Sequence, residues 1–397
     1  MPKQILVVQS RIPSNPKDGG ALAANQTLHY LHEAGYTIDL LSLNTTKHYV
    51  DPKGVQHDFP FVKKYQTVTI NTKLSVWGAI RSIFSGQSYN ISRFCSKEWD
   101  QALRTMLQNN NYDFLYFEGL YATTPLFTIT PEEIGIPIII RVHNIEHQIW
   151  QRLSETTSNY LKKFFLQTMY KRLKKEEQTL LSKAHHLLHI APTDLKYFQE
   201  LLPNAKHSYM PFGAETVSGT STRTQPMSIG FIGSMEWVPN LEGLSWFISR
   251  VLPQIRSELP HVVMHIAGKS LHTVPKQLFE SKNVHILGEV ASSQEFMQSV
   301  SVLIVPLFAG SGVRIKTLEA LAIGTPVVTT PIGIQGIAAQ HNHSVCIAEN
   351  EKDFSACVIS ILKNPELRSR LIEHGKHYIQ AHHSKASVLA QLQDLTK

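Results

Sequence analysis

Short apolar runs alternate with helical patterns along the whole chain, and the alternation starts twice. Such runs, set between helical stretches, read as parallel strands covered on both faces, the α/β layer arrangement. In the first half the strand candidates are Gln4–Gln9, Thr37–Leu43, Thr67–Ile70, Phe114–Phe117, Pro137–Val142, His186–Ile190 and His207–Met210, with a helix over Ala21–Ala34. The second half restarts at Met227–Ile232 and continues through Val262–Ala267, Val284–Leu287, Val302–Val305, Pro326–Thr329 and Val345–Ile347. Between the halves lies GAETVSGTSTRTQP, small, polar and rich in Ser and Thr, which reads as a linker over 213–226. The expectation is therefore two doubly wound α/β domains, 1–212 and 227–364, facing a central cleft where strand C-termini hold ligands. Residues 365–397 are helical with no strand after them, and are expected to pack back on the first domain.

Composition narrows the function classes. The chain's 397 residues suffice for two cores, and 42% hydrophobic with 17% charged residues suits a soluble globular protein. No run reaches the ~18–20 apolar residues of a membrane span, and the N-terminal MPKQILVVQSRIP lacks the apolar length and cleavage site of a signal peptide. Three cysteines without a C-x-x-C pair point to a reducing cytoplasm. Twenty histidines are present, but His185–His186, His341/His343 and His382–His383 lack carboxylate or thiolate companions at ligand spacing, so no metal is expected. The excess of 38 Lys and Arg over 31 Asp and Glu favours acidic partners: nucleotides, phospholipid or polyanionic glycans. Nucleic acid is disfavoured, because the basic residues are dispersed and no aromatic-basic interleaving appears. G-x-S-x-G, G-x-G-x-x-G and Walker A patterns are all missing.

The chemistry concentrates in VLIVPLFAGSGVRIKTLEALAI, Val302–Ile323. An apolar strand leads into a Gly310–Ser311–Gly312 loop and then a helix whose first turn is expected to carry Arg314 and Lys316. A helix N-terminus is already positive, so two cations there call for an anion, and a phosphate cradled by backbone N–H groups fits. Glu319 falls on roughly the same face as Lys316, where a ribose hydroxyl would meet it; a Lys316–Glu319 surface ion pair is the competing reading. Gly233, after the first strand of the second half, would let the chain turn close to a phosphate, or merely turn. Gly19 and Gly20 open the first helix as an anion or sugar contact. Arg141-Val142-His143-Asn144 ends an apolar strand; His143 there is either an acid–base group or a structural strand-end histidine.

Another segment stands apart. In Tyr160–Lys175, YLKKFFLQTMYKRLKK, apolar residues recur at helical spacing among six Lys and Arg. Such a helix either lies on an anionic membrane or packs its apolar stripe on its own domain and solvates its charges.

With these residues assembled, the chain resembles the retaining nucleotide-sugar glycosyltransferases of family 4 (glycosyl transferases group 1 type), which have the GT-B fold of two Rossmann-like domains. The resemblance runs through FIGSMEWVPNLEGLSWF, VVMHIAGKS, VHILGEV and GSGVRIKTLEALAIGTPVVTTPIGIQGI, and rests on G-x-G-x-R-x-K-x-x-E-A followed by G-x-P-V-V. It implies that the second domain holds the donor nucleotide and the first supplies most of the acceptor site. Glu319 matches the carboxylate that binds the donor ribose, and Arg314 and Lys316 the basic pair that compensates the departing diphosphate. Gly233 corresponds to the loop near the phosphates, the Gly288–Val290 turn to the region lining the base, and His143 to the first-domain histidine near the donor sugar. Many members carry E-x7-E, whose first glutamate contacts the donor sugar; here that place is Ser311.

The resemblance implies transfer of a sugar from a nucleoside-diphosphate sugar to an acceptor hydroxyl with retained configuration, in glycan, polysaccharide or glycolipid biosynthesis. No cofactor and no metal are expected, since protein cations already face the leaving group and no Asp-x-Asp motif is present. The expected partners are the donor and a glycan or lipid-linked acceptor, with peripheral contact to the inner face of the membrane through the basic helix. Two rivals keep the fold: a nucleotide-sugar epimerase, and a non-catalytic scaffold. The scaffold has no use for Arg314, Lys316 and Glu319.

Overall fold

A computed structural model describes residues 2–397 apart from 15, 17, 74, 76–77, 79–81, 83–85, 158, 217–224, 272–273, 275–282, 394 and 396–397. The expected linker 213–226 thus lies largely outside the described residues. The chain forms two compact units, Met1–Pro211 with Val388–Lys397, and Phe212–Ser387.

The first unit is built on seven parallel strands: β1 (Gln4–Gln9), β2 (Thr37–Thr45), β3 (Val62–Ile70), β4 (Phe114–Glu118), β5 (Ile138–Val142), β6 (His186–His189) and β7 (Lys206–Tyr209), in the order β3-β2-β1-β4-β5-β6-β7. Alternate residues of β1 enter two cores, as period-two geometry requires. Leu6 and Val8 pack with Leu103, Phe117 and Trp99, whereas Ile5 and Val7 pack with Leu28, Leu31 and Tyr116. The strand β3 begins five residues before the apolar run that announces it. It is an edge strand whose Lys63 and Lys64 are exposed, so its polar half hides the strand from a reading based on apolar runs.

The second unit repeats the winding with six parallel strands: β8 (Ser228–Ile232), β9 (Val263–Ala267), β10 (Val284–Gly288), β11 (Val302–Val305), β12 (Val327–Thr329) and β13 (Cys346–Ile347), in the order β10-β9-β8-β11-β12-β13. In both sheets the order reverses beside the first strand, at β1/β4 and at β8/β11. Crevices outside the strand C-termini open at such reversals.

The helical tail divides between the units. The helix Pro365–His382 buries Leu371 and Ile379 in the second unit, and His383 Nδ1 lies 2.9 Å from Phe212 O. Only the last helix, Lys385–Gln393, joins the first core, through Val388 and Leu392, with the Tyr36 hydroxyl donating to Leu392 O at 3.0 Å. The apolar spacing of the tail identifies helices but not the core each one meets.

One backbone approach in the second unit admits only glycine. A Cβ on Gly243, in the helix Val238–Trp246, would stand 1.8 Å from Pro306 O, a backbone atom that cannot swing aside. Gly243→Ala is expected to destabilise the second unit by about 3 kcal/mol or more, read as a lower urea midpoint.

Candidate functional site

Each unit gathers polar groups at the reversal of its sheet. In the second unit the helix Ile315–Ile323 begins behind the Gly310–Gly312 loop, with Arg314 as its N-cap residue in extended conformation. Gly310 has φ +118°, and a side chain there would also strike Arg314 Nη2 and the Trp237 ring. Arg314 therefore precedes the first turn rather than sitting in it. Its guanidinium folds back, Nη1 donating to Ser311 O at 2.7 Å, and lies 5.2 Å from the Trp237 ring centroid.

Lys316 is in the first turn, and its ammonium reaches the end of β8. Nζ donates to Ile232 O at 2.9 Å and to Asn240 Oδ1 at 3.0 Å, and lies 5.2 Å from the Phe231 ring centroid. Asn240 is itself fixed by donating Nδ2 to Ser234 O at 2.9 Å. A Cβ on Gly233 would press on this Asn240 amide at 2.6 Å, so the β8 turn and the lysine cradle are packed as one piece. Among the described residues the ammonium meets no carboxylate. Burial, reinforced by the positive charge of Arg314, brings the Lys316 pKa down to about 7.

The surface ion pair between Lys316 and Glu319 does not form. Among the described residues the Glu319 carboxylate has no hydrogen-bond or ion-pair partner, and burial lifts its pKa to about 7. Ser311 is 6% exposed, with a hydroxyl that has no partner among the described residues. Gly312 continues the loop with φ +81°. Gly288 ends β10, its carbonyl accepting at 2.8 Å from the N–H of Gly268, the residue after β9. Gly233, Gly310, Ser311, Gly312, Arg314, Lys316 and Glu319 thus share one end of the second sheet.

In the first unit a cavity of about 160 Å³ opens where β1, β4 and β5 end, lined by Gln9, Arg11, Gly20, Glu118, His143, Asn144 and Glu146 among others. Gly19 and Gly20 start the helix Gly19–Glu33, but the Asp18 carboxylate already caps it, accepting from Ala21 N at 3.0 Å. Arg11 forks onto Asp18 at 2.6 and 2.8 Å. Although burial opposes the charge, Arg11 and the Ala21 amide hold Asp18 below the usual carboxylate range. This helix start therefore carries its own anion.

His143 is held rather than loose. Its Nε2 lies 2.6 Å from Glu118 Oε1, and Arg141 Nη1 approaches the same oxygen at 3.6 Å. Burial would raise the Glu118 pKa, but Arg141 and His143 outweigh it and keep the carboxylate ionised. Beside them Glu146 is raised, chiefly by burial, and accepts from Asn144 Nδ2 and the Tyr121 hydroxyl, both at 3.0 Å. Glu118 escaped the sequence reading although it ends the apolar strand FLYFE, the same signal that marks His143. Trp237 and Asn240 carry no pattern of their own, and only folding brings them to the loop.

No group of three or more His, Cys, Asp or Glu among the described residues is placed to hold a metal ion.

Residues 226–364 match the family model described as glycosyl transferases group 1. Over 401 aligned positions the chain is 23% identical to a 44.6 kDa protein in the cps region of Klebsiella pneumoniae, with 98% of each covered. Its fold is similar to that of sucrose-phosphate synthase from Thermosynechococcus elongatus, with TM-score 0.73, 13% identity, and 99% of this chain and 98% of that one covered. It is also similar to TarM of S. aureus in complex with fondaparinux, alpha-GlcNAc-glycerol and UDP, with TM-score 0.70, 10% identity and 99% of each covered. HepE of Anabaena in complex with UDP-glucose gives 0.68, 11% and 99% of each. The two doubly wound units are those of the GT-B fold.

The low pKa of Lys316 sets the sign of a proton linkage. At pH 8 a lysine with a pKa of about 7 is mostly neutral, and a bound anion restores its charge. Binding of pyrophosphate at pH 8 is expected to take up as much as about one proton, measured by calorimetry in buffers of different ionisation enthalpy. The uptake should vanish in Lys316→Met.

Proposed function

We propose that this chain is a retaining glycosyltransferase that moves a sugar from a nucleoside-diphosphate sugar to an acceptor hydroxyl. The observation that carries the reading is Lys316. It is a partly buried ammonium at a helix start, held by a carbonyl and an amide and meeting no carboxylate among the described residues. A diphosphate completes such a site. The group 1 match over 226–364 supports the reading, as do the solved structures of similar fold that carry UDP or UDP-glucose.

In the reaction the bond between the sugar's anomeric carbon and the β-phosphate oxygen breaks, and its electron pair leaves with the diphosphate. The acceptor oxygen bonds to that carbon from the same face, and its proton passes to the leaving phosphate. Arg314, Lys316 and the N-terminus of the Ile315–Ile323 helix stabilise the growing negative charge, the kind of preorganised electrostatics that contributes most to such steps. These cations do the work a divalent ion would do, so transfer proceeds without added metal. Glu319 takes the ribose hydroxyls, for which a carboxylate partnerless among the described residues is suited. Gly233 and the Gly310–Gly312 loop bring backbone close to the phosphates, with Ser311 toward the sugar. The Gly288 turn lines the base. Gly19, Gly20 and His143 serve the sugar and acceptor side, and the acceptor is a glycan or a lipid-linked sugar of a polysaccharide or glycolipid assembly.

Arg314→Ala and Lys316→Ala are each expected to lower kcat about 100-fold or more while the melting temperature changes little. The measurement is product formation from a panel of UDP-, GDP- and ADP-sugars in the presence of a chelator, with the product anomer read by NMR. Near-normal transfer by both variants, or an inverted product, overturns the reading.

Glu118 acts through His143 rather than on the substrate. Glu118→Gln keeps the shape but gives up the charge that holds the imidazole, and is expected to lower kcat about 10- to 100-fold. The KM for donor and the affinity for free nucleotide should not move. Equal losses in nucleotide affinity and kcat would instead mean that the first unit had been disordered.

A further inference from the structure

The outward side of the helix Tyr160–Leu181 carries chemistry that sugar transfer does not use. The sequence left its apolar residues between two roles, and the structure divides them. Leu166, Met169, Leu173 and Leu180 are buried in the first unit. Tyr160, Leu161 and Phe164 are 89%, 84% and 72% exposed. At about 100° per residue these three lie on the side opposite the buried stripe. The same side continues toward the C-terminus with exposed Lys171 and Lys175 and half-buried Lys174. Lys162 and Lys163, by the same spacing, fall toward the buried stripe, Lys162 exposed and Lys163 half-buried. Arg172 is turned aside, donating Nη1 to Ser82 O at 2.6 Å.

The tip is regular helix, because the Asn159 side chain accepts from Lys162 N at 3.0 Å and caps it. No Asp or Glu occurs from Tyr160 to Lys175. Three large apolar side chains concentrated on one exposed turn and a half are not what a solvated surface selects. A partner for this side must offer hydrocarbon at one end and a field of negative charge along the rest. An anionic bilayer offers both within one surface: acyl chains for Leu161 and Phe164, the headgroup level for Tyr160, and phosphates for the lysines. Among the described residues no helix is long and apolar enough to cross a membrane, so the contact is interfacial.

We propose that this helix docks the chain on an anionic lipid surface, with Leu161 and Phe164 inserted and Lys171, Lys174 and Lys175 over the headgroups. The test is flotation of the full chain with vesicles of phosphatidylcholine alone or mixed equally with phosphatidylglycerol. It needs no donor, so it stands or falls separately from the sugar-transfer reading. Binding is expected only to the mixed vesicles and should weaken as salt rises. Leu161→Gln/Phe164→Gln should bind about tenfold or more weakly, with unchanged melting temperature, since both positions are exposed. Phe164→Trp should shift its emission to the blue on mixed vesicles. The proposal is overturned if the double variant binds as the parent does, if phosphatidylglycerol makes no difference, or if the Phe164→Trp emission stays fixed. It is equally overturned if the parent forms dimers that the double variant loses, for then a second copy covers the face.

Discussion

The chemistry proposed for the second unit depends on how one ammonium is held. Lys316 Nζ ties three separate pieces of the second unit together: the end of β8 through Ile232 O, the helix Val238–Trp246 through Asn240, and its own helix start. Those acceptors fix its position without cancelling its charge. A carboxylate in their place would form a stable internal ion pair and leave nothing for a ligand to neutralise. The charge is instead held at a cost, seen in the fall of its pKa to about 7. A bound anion would recover that cost. The arrangement stabilises the site poorly when empty and well when filled, which is the differential that catalysis of anion departure requires.

The first unit treats charge in the opposite way on the same winding. There Arg11 is spent on Asp18, and Arg141 and His143 converge on Glu118. Each of the two arginines has its counter-charge inside the unit, so the cavity beside them is polar but balanced. Such a cavity suits neutral, hydroxyl-rich groups that need positioning, and gives a phosphate no advantage over water. The contrast does not come from the fold, since both sheets reverse beside their first strand. It comes from which residue types end the strands: Glu118 after β4 in one unit, glycine and a serine loop after β8 and β11 in the other.

This also explains what the sequence made legible. The strand positions follow from where apolar runs recur, because buried parallel strands are apolar on both faces. The edge strand β3 was read short because its first half is polar for good reason. The loop glycines, Arg314, Lys316 and Glu319 were visible because they are close in sequence and their spacing has a helical period. What spacing cannot carry is the direction of a side chain. Arg314 folds back onto Ser311 O instead of extending from the first turn, and Lys316 takes Asn240, a residue 76 positions away, instead of the nearby Glu319. Trp237 and Asn240 were invisible for the same reason: contacts across sequence are fixed by packing, and a single sequence records only their outcome.

Ser311 fits the same economy of charge. It stands where E-x7-E chains carry their first glutamate, and it is 6% exposed with its carbonyl already accepting from Arg314. A carboxylate confined to that position would either pair with the neighbouring guanidinium or lie buried without a partner, and burial of an unpaired carboxylate is costly. Pairing would divert Arg314 from the diphosphate of the proposed reaction. A serine avoids both outcomes, and its hydroxyl, partnerless among the described residues, still offers a donor and an acceptor. In the proposed reaction a serine here would recognise the sugar by hydrogen bonding rather than by charge, and would leave Arg314 unpaired with any carboxylate at this position.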